Sequence, residues 1–239
     1  MVISHRHRFV FIKTRKTAGT SVEIVLSSLA EADAVVTPTT PPEPDHHPRN
    51  WRRRFNPVPE LAWVLRGDGP VPRKQGLLRL ARDERDGRAF YSHISLDLVR
   101  LREGARIAGY RTFCFERNSW DKVVSFYCWQ RGNMRAKNRP HPSFEEWVAA
   151  GRLPTDWHLY ARGERVLVDT VGRYETLSAD LTRILGSLGL PTDVALPSAK
   201  ASSRPKELDF DRGPAASAAI ERVFAREIAH FEYRRPDWW

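Results

Sequence analysis

Twice along this chain a short apolar run passes through a few small polar residues directly into an amphipathic helix. That repeated order restricts the fold more than any other feature. Residues 7–13 enclose Phe9-Val10-Phe11-Ile12 and read as a buried strand, and residues 20–30 follow as a helix with Val22, Val25, Leu26 and Leu29 on one stripe. Residues 110–117 (YRTFCFER) make the second strand, and SWDKVVSFYCWQR the second helix, with Ser119 as its N-cap and Asp121 in its first turn. Downstream, Ser143 and Glu146 fit a capping box, residues 164–174 carry a β-branched strand, and residues 178–188 form a helix that stops at Gly189 before Pro191. Residues 215–231 make the last helix. Strands alternating with helices predict one α/β domain over residues 1–239, with a central, mostly parallel sheet flanked by helices.

A chain of 239 residues is long enough to bury one full core, and 28% charged with 41% hydrophobic residues excludes the disordered and membrane classes. No stretch approaches the length of a membrane span or a signal-peptide core, so a cytoplasmic protein with no membrane span is expected. Cys114 and Cys128 are too few for a disulfide framework and are expected as buried thiols. The formal charge is +10; lysine fills only seven of the 39 basic positions and arginine the other 32. Guanidinium suits bidentate contact with phosphate, sulfate or carboxylate, although GC-rich codon usage accounts for the arginines equally well.

Residues 37–90 break the pattern. They are rich in proline and arginine (TPTTPPEPDHHPRNWRRRF), periodic only at residues 60–66, and are expected as an insertion over the sheet edge. A second loop, residues 191–212, carries the small and basic SAKASSRPK.

The first strand-to-helix turn is KTRKTAGTSVE. Small residues there let backbone N–H groups and the helix dipole converge on one anion, with Lys16 at the mouth, Gly19 for close approach and hydroxyls at Thr20 and Ser21. The order is wrong for a Walker loop, which puts lysine after its second glycine; here lysine comes three residues before the only glycine. A plain turn with a solvated lysine is the alternative. In the second unit Arg117 ends a strand and Ser125 follows about two helical turns on, so both can reach one phosphate beside the first loop.

Together these stretches resemble the sulfotransferases that use 3′-phosphoadenosine 5′-phosphosulfate (PAPS), and the resemblance implies their P-loop-like fold. Lys16, Thr17, Ala18, Gly19, Thr20 and Ser21 resemble the family's 5′-phosphosulfate loop, and Arg117 through Ser125 its 3′-phosphate motif, departing at Ser119 for proline and at Lys122 for arginine. VDTVGRYETL, with Tyr174, is similar to the passage near the adenine. KASSR, with Lys200, Ser202, Ser203 and Arg204, resembles the loop that closes over the cofactor. FAREIAHFEY resembles the closing helix of the bacterial and carbohydrate branch. FYSHISLDL resembles a stretch of uronyl 2-O-sulfotransferases whose histidine, here His93, removes the acceptor hydroxyl proton. The resemblance implies PAPS as donor, 3′-phosphoadenosine 5′-phosphate (PAP) as product, no metal requirement, and a small-molecule or glycan acceptor rather than nucleic acid.

His93 also reads as a histidine that packs on the next helix. The resemblance also allows a carboxylate base, and Asp45, His46 and His47 offer a base or metal ligands, but two adjacent histidines in a proline-rich loop are expected in solvent; His158 is a weaker base. Trp51 with Arg52, Arg53 and Arg54 suits an acceptor surface, whereas Trp120, Trp129 and Trp147 fall at helical core positions. Two rival readings stay open: a nucleotide-dependent kinase, and a non-catalytic basic module that binds polyanions.

Overall fold

A computed structural model describes residues 1–151, 153–197, 199 and 208–239. Its centre is β2 (Phe9–Ile12), buried along its whole length. β2 pairs in parallel with β4 (Arg111–Glu116), and β4 in parallel with β7 (Thr170–Arg173). Two short strands complete the sheet on the other side. β1 (Val2–Ser4) runs antiparallel to β2, and β3 (Val35–Val36) antiparallel to β1, giving the order β3-β1-β2-β4-β7. The expected α/β domain with a mostly parallel sheet is what forms.

Alternation along the strands separates two cores, because successive side chains leave a strand on opposite faces. Phe9, Phe11, Phe113 and Phe115 pack against α1 (Gly19–Leu29) and α8 (Leu177–Ser187) through Val22, Val25, Leu181 and Leu185. Val10, Ile12 and Cys114 face the opposite layer, which includes α4 (Leu96–Glu103) and α5 (Ser119–Ala136). Cys114 and Cys128 are both buried and form no disulfide with each other. No helix among the described residues is long and apolar enough to cross a membrane.

Several local expectations are corrected. The cap of α5 is Asn118, whose side chain accepts from the Trp120 amide, and Ser119 is the first helical residue. Ser143 does cap α6 (Phe144–Ala149) with Glu146 in a capping box. The strand expected in residues 164–174 is two: β6 (Arg165–Val166), in a hairpin with β5 (Ala161–Arg162), and β7. The last helix breaks at Phe224 into α9 (Pro214–Val223) and α10 (Ala225–Phe231), whose shared cap residue is fully buried. Trp129 is 43% exposed and is no core residue, while Trp120 and Trp147 are.

The 37–90 stretch is more than a loop. It contains α2 (Val58–Arg66) and α3 (Arg73–Arg85), packed through Trp63, Val64 and Leu80. It is tied to α4 by Arg102, which is buried and donates to Glu60 (2.8 Å) and Asp83 (3.0 Å). A buried guanidinium is tolerable only with partners of this kind.

Candidate functional site

Because β2, β4 and β7 are parallel, their C-terminal ends reach the same edge of the sheet, which is where open α/β sheets hold ligands. The three chain segments leaving that edge begin at Lys13, Arg117 and Tyr174, and all three line one cavity of about 1150 Å³. That is room for a nucleotide-sized molecule together with a second compound.

The first segment turns tightly. Lys16 and Ala18 both take left-handed backbone conformations (φ 61° and 56°), which cost non-glycine residues energy and point successive N–H groups inward. Helix α1 then starts with no capping side chain and no acidic residue in its first turn. Its first amides and positive dipole end therefore remain available to an anion. Gly19 is required by close approach: a Cβ there would lie 2.8 Å from Lys13 Cγ. Lys13 runs beneath the turn, donating from Nζ to Thr20 Oγ1 (3.2 Å) and to Glu23.

Arg117 is 8% exposed and fixed on three sides. Nε donates to Asp121 at 2.6 Å, Nη1 donates to the Lys16 carbonyl at 2.9 Å, and the guanidinium lies 3.8 Å above the Tyr174 ring. Ser125 joins it on the cavity wall, and Lys16 Nζ stands 5.6 Å above the Trp129 ring. Under this wall is an ionic cluster. Asp156 accepts from the Arg15 amide and guanidinium, each at 2.5 Å, and from Lys122 at 2.9 Å; Lys122 also donates to Glu116 at 2.6 Å. Burial pushes the Asp156 carboxyl up, but Lys122 and Arg15 together bring it below the usual carboxylate range. Burial raises that of Glu116.

His93 also reaches the cavity. Its Nδ1 lies 3.0 Å from the Lys13 carbonyl oxygen. A carbonyl only accepts, so Nδ1 carries the proton and Nε2 is the basic nitrogen. Burial lowers the imidazole pKa to about 4, with Arg15 and Lys13 adding to the shift against Asp156, so the ring is neutral at pH 7. His158 is lowered by burial too and does not line the cavity.

The residues singled out in the sequence divide as follows. Lys16, Ala18, Gly19, Thr20, Ser21, His93, Arg117, Ser125 and Tyr174 come together on the cavity, as do Trp51 and Arg52. The Thr17 side chain turns away, fully buried and bonded to Thr14. Arg53 pairs with Glu103, and with Arg54 it lines a separate pocket of about 260 Å³. Lys122, at the position of the motif arginine, faces the buried cluster and not the cavity. His46 is buried near Glu23, against its expected place in solvent; His47 is exposed. Lys200, Ser202, Ser203 and Arg204 lie outside the described residues.

No family model matches the chain. A protein from Archaeoglobus fulgidus, described as an uncharacterized protein, is 34% identical over 103 residues, which are 41% of this chain and 83% of the relative. The chain belongs to that protein's family. Among solved structures, a sulfotransferase from Alicyclobacillus acidocaldarius aligns over 97% of this chain and 98% of its own, with 16% identity and a TM-score of 0.43.

Among the cavity residues that the sequence did not mark as part of a site are Lys13, Arg15, Arg88 and Tyr91, and Trp129 was expected in the core. Asp156, which accepts from the Arg15 amide 141 residues away, had no signal, since nothing local distinguishes it from a surface aspartate.

Proposed function

We propose that the chain is a sulfotransferase that moves the sulfuryl group of PAPS to an acceptor hydroxyl. The observation that supports it best is one cavity wall carrying both an uncapped helix start after a glycine turn and, from the neighbouring strand end, Arg117 and Ser125. That wall offers two separated anion positions, which suits a nucleotide phosphorylated at both ends of its ribose.

In this reading the amides of Gly19, Thr20 and Ser21 with Lys16 hold the 5′ phosphate side. Arg117, already immobilised by Asp121 and the Lys16 carbonyl, holds the 3′ phosphate with Ser125, and Tyr174 lies near the base. PAPS supplies a sulfuryl group attached to a phosphate leaving group. His93 Nε2 takes the acceptor's hydroxyl proton while Nδ1–H stays on the Lys13 carbonyl, which fixes the ring's tautomer and orientation. Lys16 and the loop amides stabilise the charge that develops on the departing phosphate. The buried thiols Cys114 and Cys128 suit a reducing compartment and support a cytoplasmic location.

Calorimetry with PAP in the presence of EDTA tests the reading. Tight binding without added magnesium is expected. Binding that needs magnesium, or a preference for ATP, favours a kinase and overturns it.

A further inference from the structure

We propose that Trp51, Arg52, Arg88 and Tyr91 form the acceptor subsite, and that it selects a ring-bearing hydroxyl compound carrying an anionic group of its own. The fate of the hydroxyl rests on the sulfotransferase reading; the preference for charge does not.

Backbone pairing brings the four residues to one rim. The Phe90 amide donates to the Trp51 carbonyl (3.0 Å) and the Arg53 amide to the Gly87 carbonyl (2.9 Å), so residues 51–53 run beside residues 87–90, three residues before His93. Exposure alternates along residues 51–55, as it must in an extended chain. Arg53 turns inward to Glu103, and Arg52 stays outside and lines the cavity with Trp51. Both arginines of this rim lie over a ring beside them: Arg52 4.6 Å from the Trp51 centroid, Arg88 5.0 Å from that of Tyr91. Two cation-topped rings in the same cavity as His93 suit a ring with a negative substituent.

The charge balance points the same way. Glu60 and Asp83 are shared among Arg79, Arg82, Arg88 and Arg102, two carboxylates for four guanidiniums. Arg88 meets one Asp83 oxygen at 3.4 Å while the other oxygen takes Arg102 at 3.0 Å, so Arg88 shares its counter-charge. No ion pair involving Arg52 occurs among the described residues. Arg52 and Arg88 therefore bring positive charge to the cavity, where an anionic substituent would meet it.

The test titrates matched pairs by calorimetry into PAP-saturated protein: 4-hydroxybenzoate against 4-hydroxybenzamide, and methyl glucuronide against methyl glucoside. At least one carboxylate is expected to bind wild type about tenfold more tightly than its neutral partner. The Arg52→Gln/Arg88→Gln variant should lose that preference and keep its PAP affinity. Equal binding within both pairs, no binding of any of the four compounds, or a preference that survives in the variant overturns the proposal. Arg52→Gln alone changes an exposed side chain and should lose part of the preference, which keeps the test decisive if the double variant does not fold. PAP binding is measured first. A protein that ignores PAP but still discriminates the carboxylates fails as a PAPS enzyme and keeps this subsite.

Discussion

The Nδ1 of His93 and the carbonyl oxygen of Lys13 are 3.0 Å apart, joining the end of the central strand to a residue 80 positions away. The proposed base is thereby fixed to the start of the turn that leads into α1.

That contact and the burial around it set the pH behaviour. With a pKa of about 4, His93 is unprotonated from pH 5 upward, so kcat should be flat across neutrality and fall only as acid protonates the ring near pH 4. His93→Ala should lose roughly 10² to 10⁴-fold in kcat, lose that acid limb, and bind PAP as wild type does. A pH–rate profile at saturating PAPS checks this. An acid limb that persists in the variant assigns the base to another residue.

Arg117→Ala should weaken PAP about tenfold to a hundredfold, and Ser125→Ala less, because a charge-assisted contact contributes about 1.5–3 kcal/mol. The comparison that matters is with adenosine 5′-phosphosulfate, which lacks the 3′ phosphate. Equal losses for both nucleotides mean that Arg117 holds a different group.

Asp156→Ala leaves Lys122 and Arg15 short of a counter-charge beneath the loop. Removing one partner of a buried ion pair costs about 3–5 kcal/mol, so urea unfolding should show a loss in that range. A loss below about 1 kcal/mol would mean that water reaches the cluster.

Gly19→Ala puts a methyl 2.8 Å from Lys13 Cγ and 3.3 Å from Cε, displacing a side chain held by Thr20 and Glu23. Calorimetry should give clearly weaker PAP binding, partly restored when Lys13→Ala removes the clash. If the double variant binds no better than Gly19→Ala, the methyl acts on the ligand itself.

How much of this was legible follows from particular residues. The two strand–helix units could be read because β2 is solidly apolar, β4 carries the apolar run Phe113-Cys114-Phe115 and α1 keeps a helical stripe. Strand β1 has only three residues, too few for any period to show. Helix α3 was invisible because its buried positions are Gly76, Leu80 and Asp83, and it is held by an ion pair where an apolar face would have announced it. That Lys16, Ala18, Gly19, Thr20 and Ser21 form a tight turn into a helix was legible from turn chemistry, whereas the burial of Thr17 was not. Arg52, Arg53 and Arg54 could not be sorted, since identical neighbours are separated only by the alternation of an extended chain and by where Glu103 stands.

Arg102 lies nine residues beyond His93 and holds α2 through Glu60 and α3 through Asp83, while donating at 2.8 Å to the Ala89 carbonyl. This makes the 37–90 segment and the helix after His93 a single inheritable unit. Grafting a foreign segment here, or deleting this one, strands a buried guanidinium unless position 102 changes in the same step. A segment that lacks both Glu60 and Asp83 therefore calls for a different residue at position 102, and a library that varies the segment freely should vary position 102 with it.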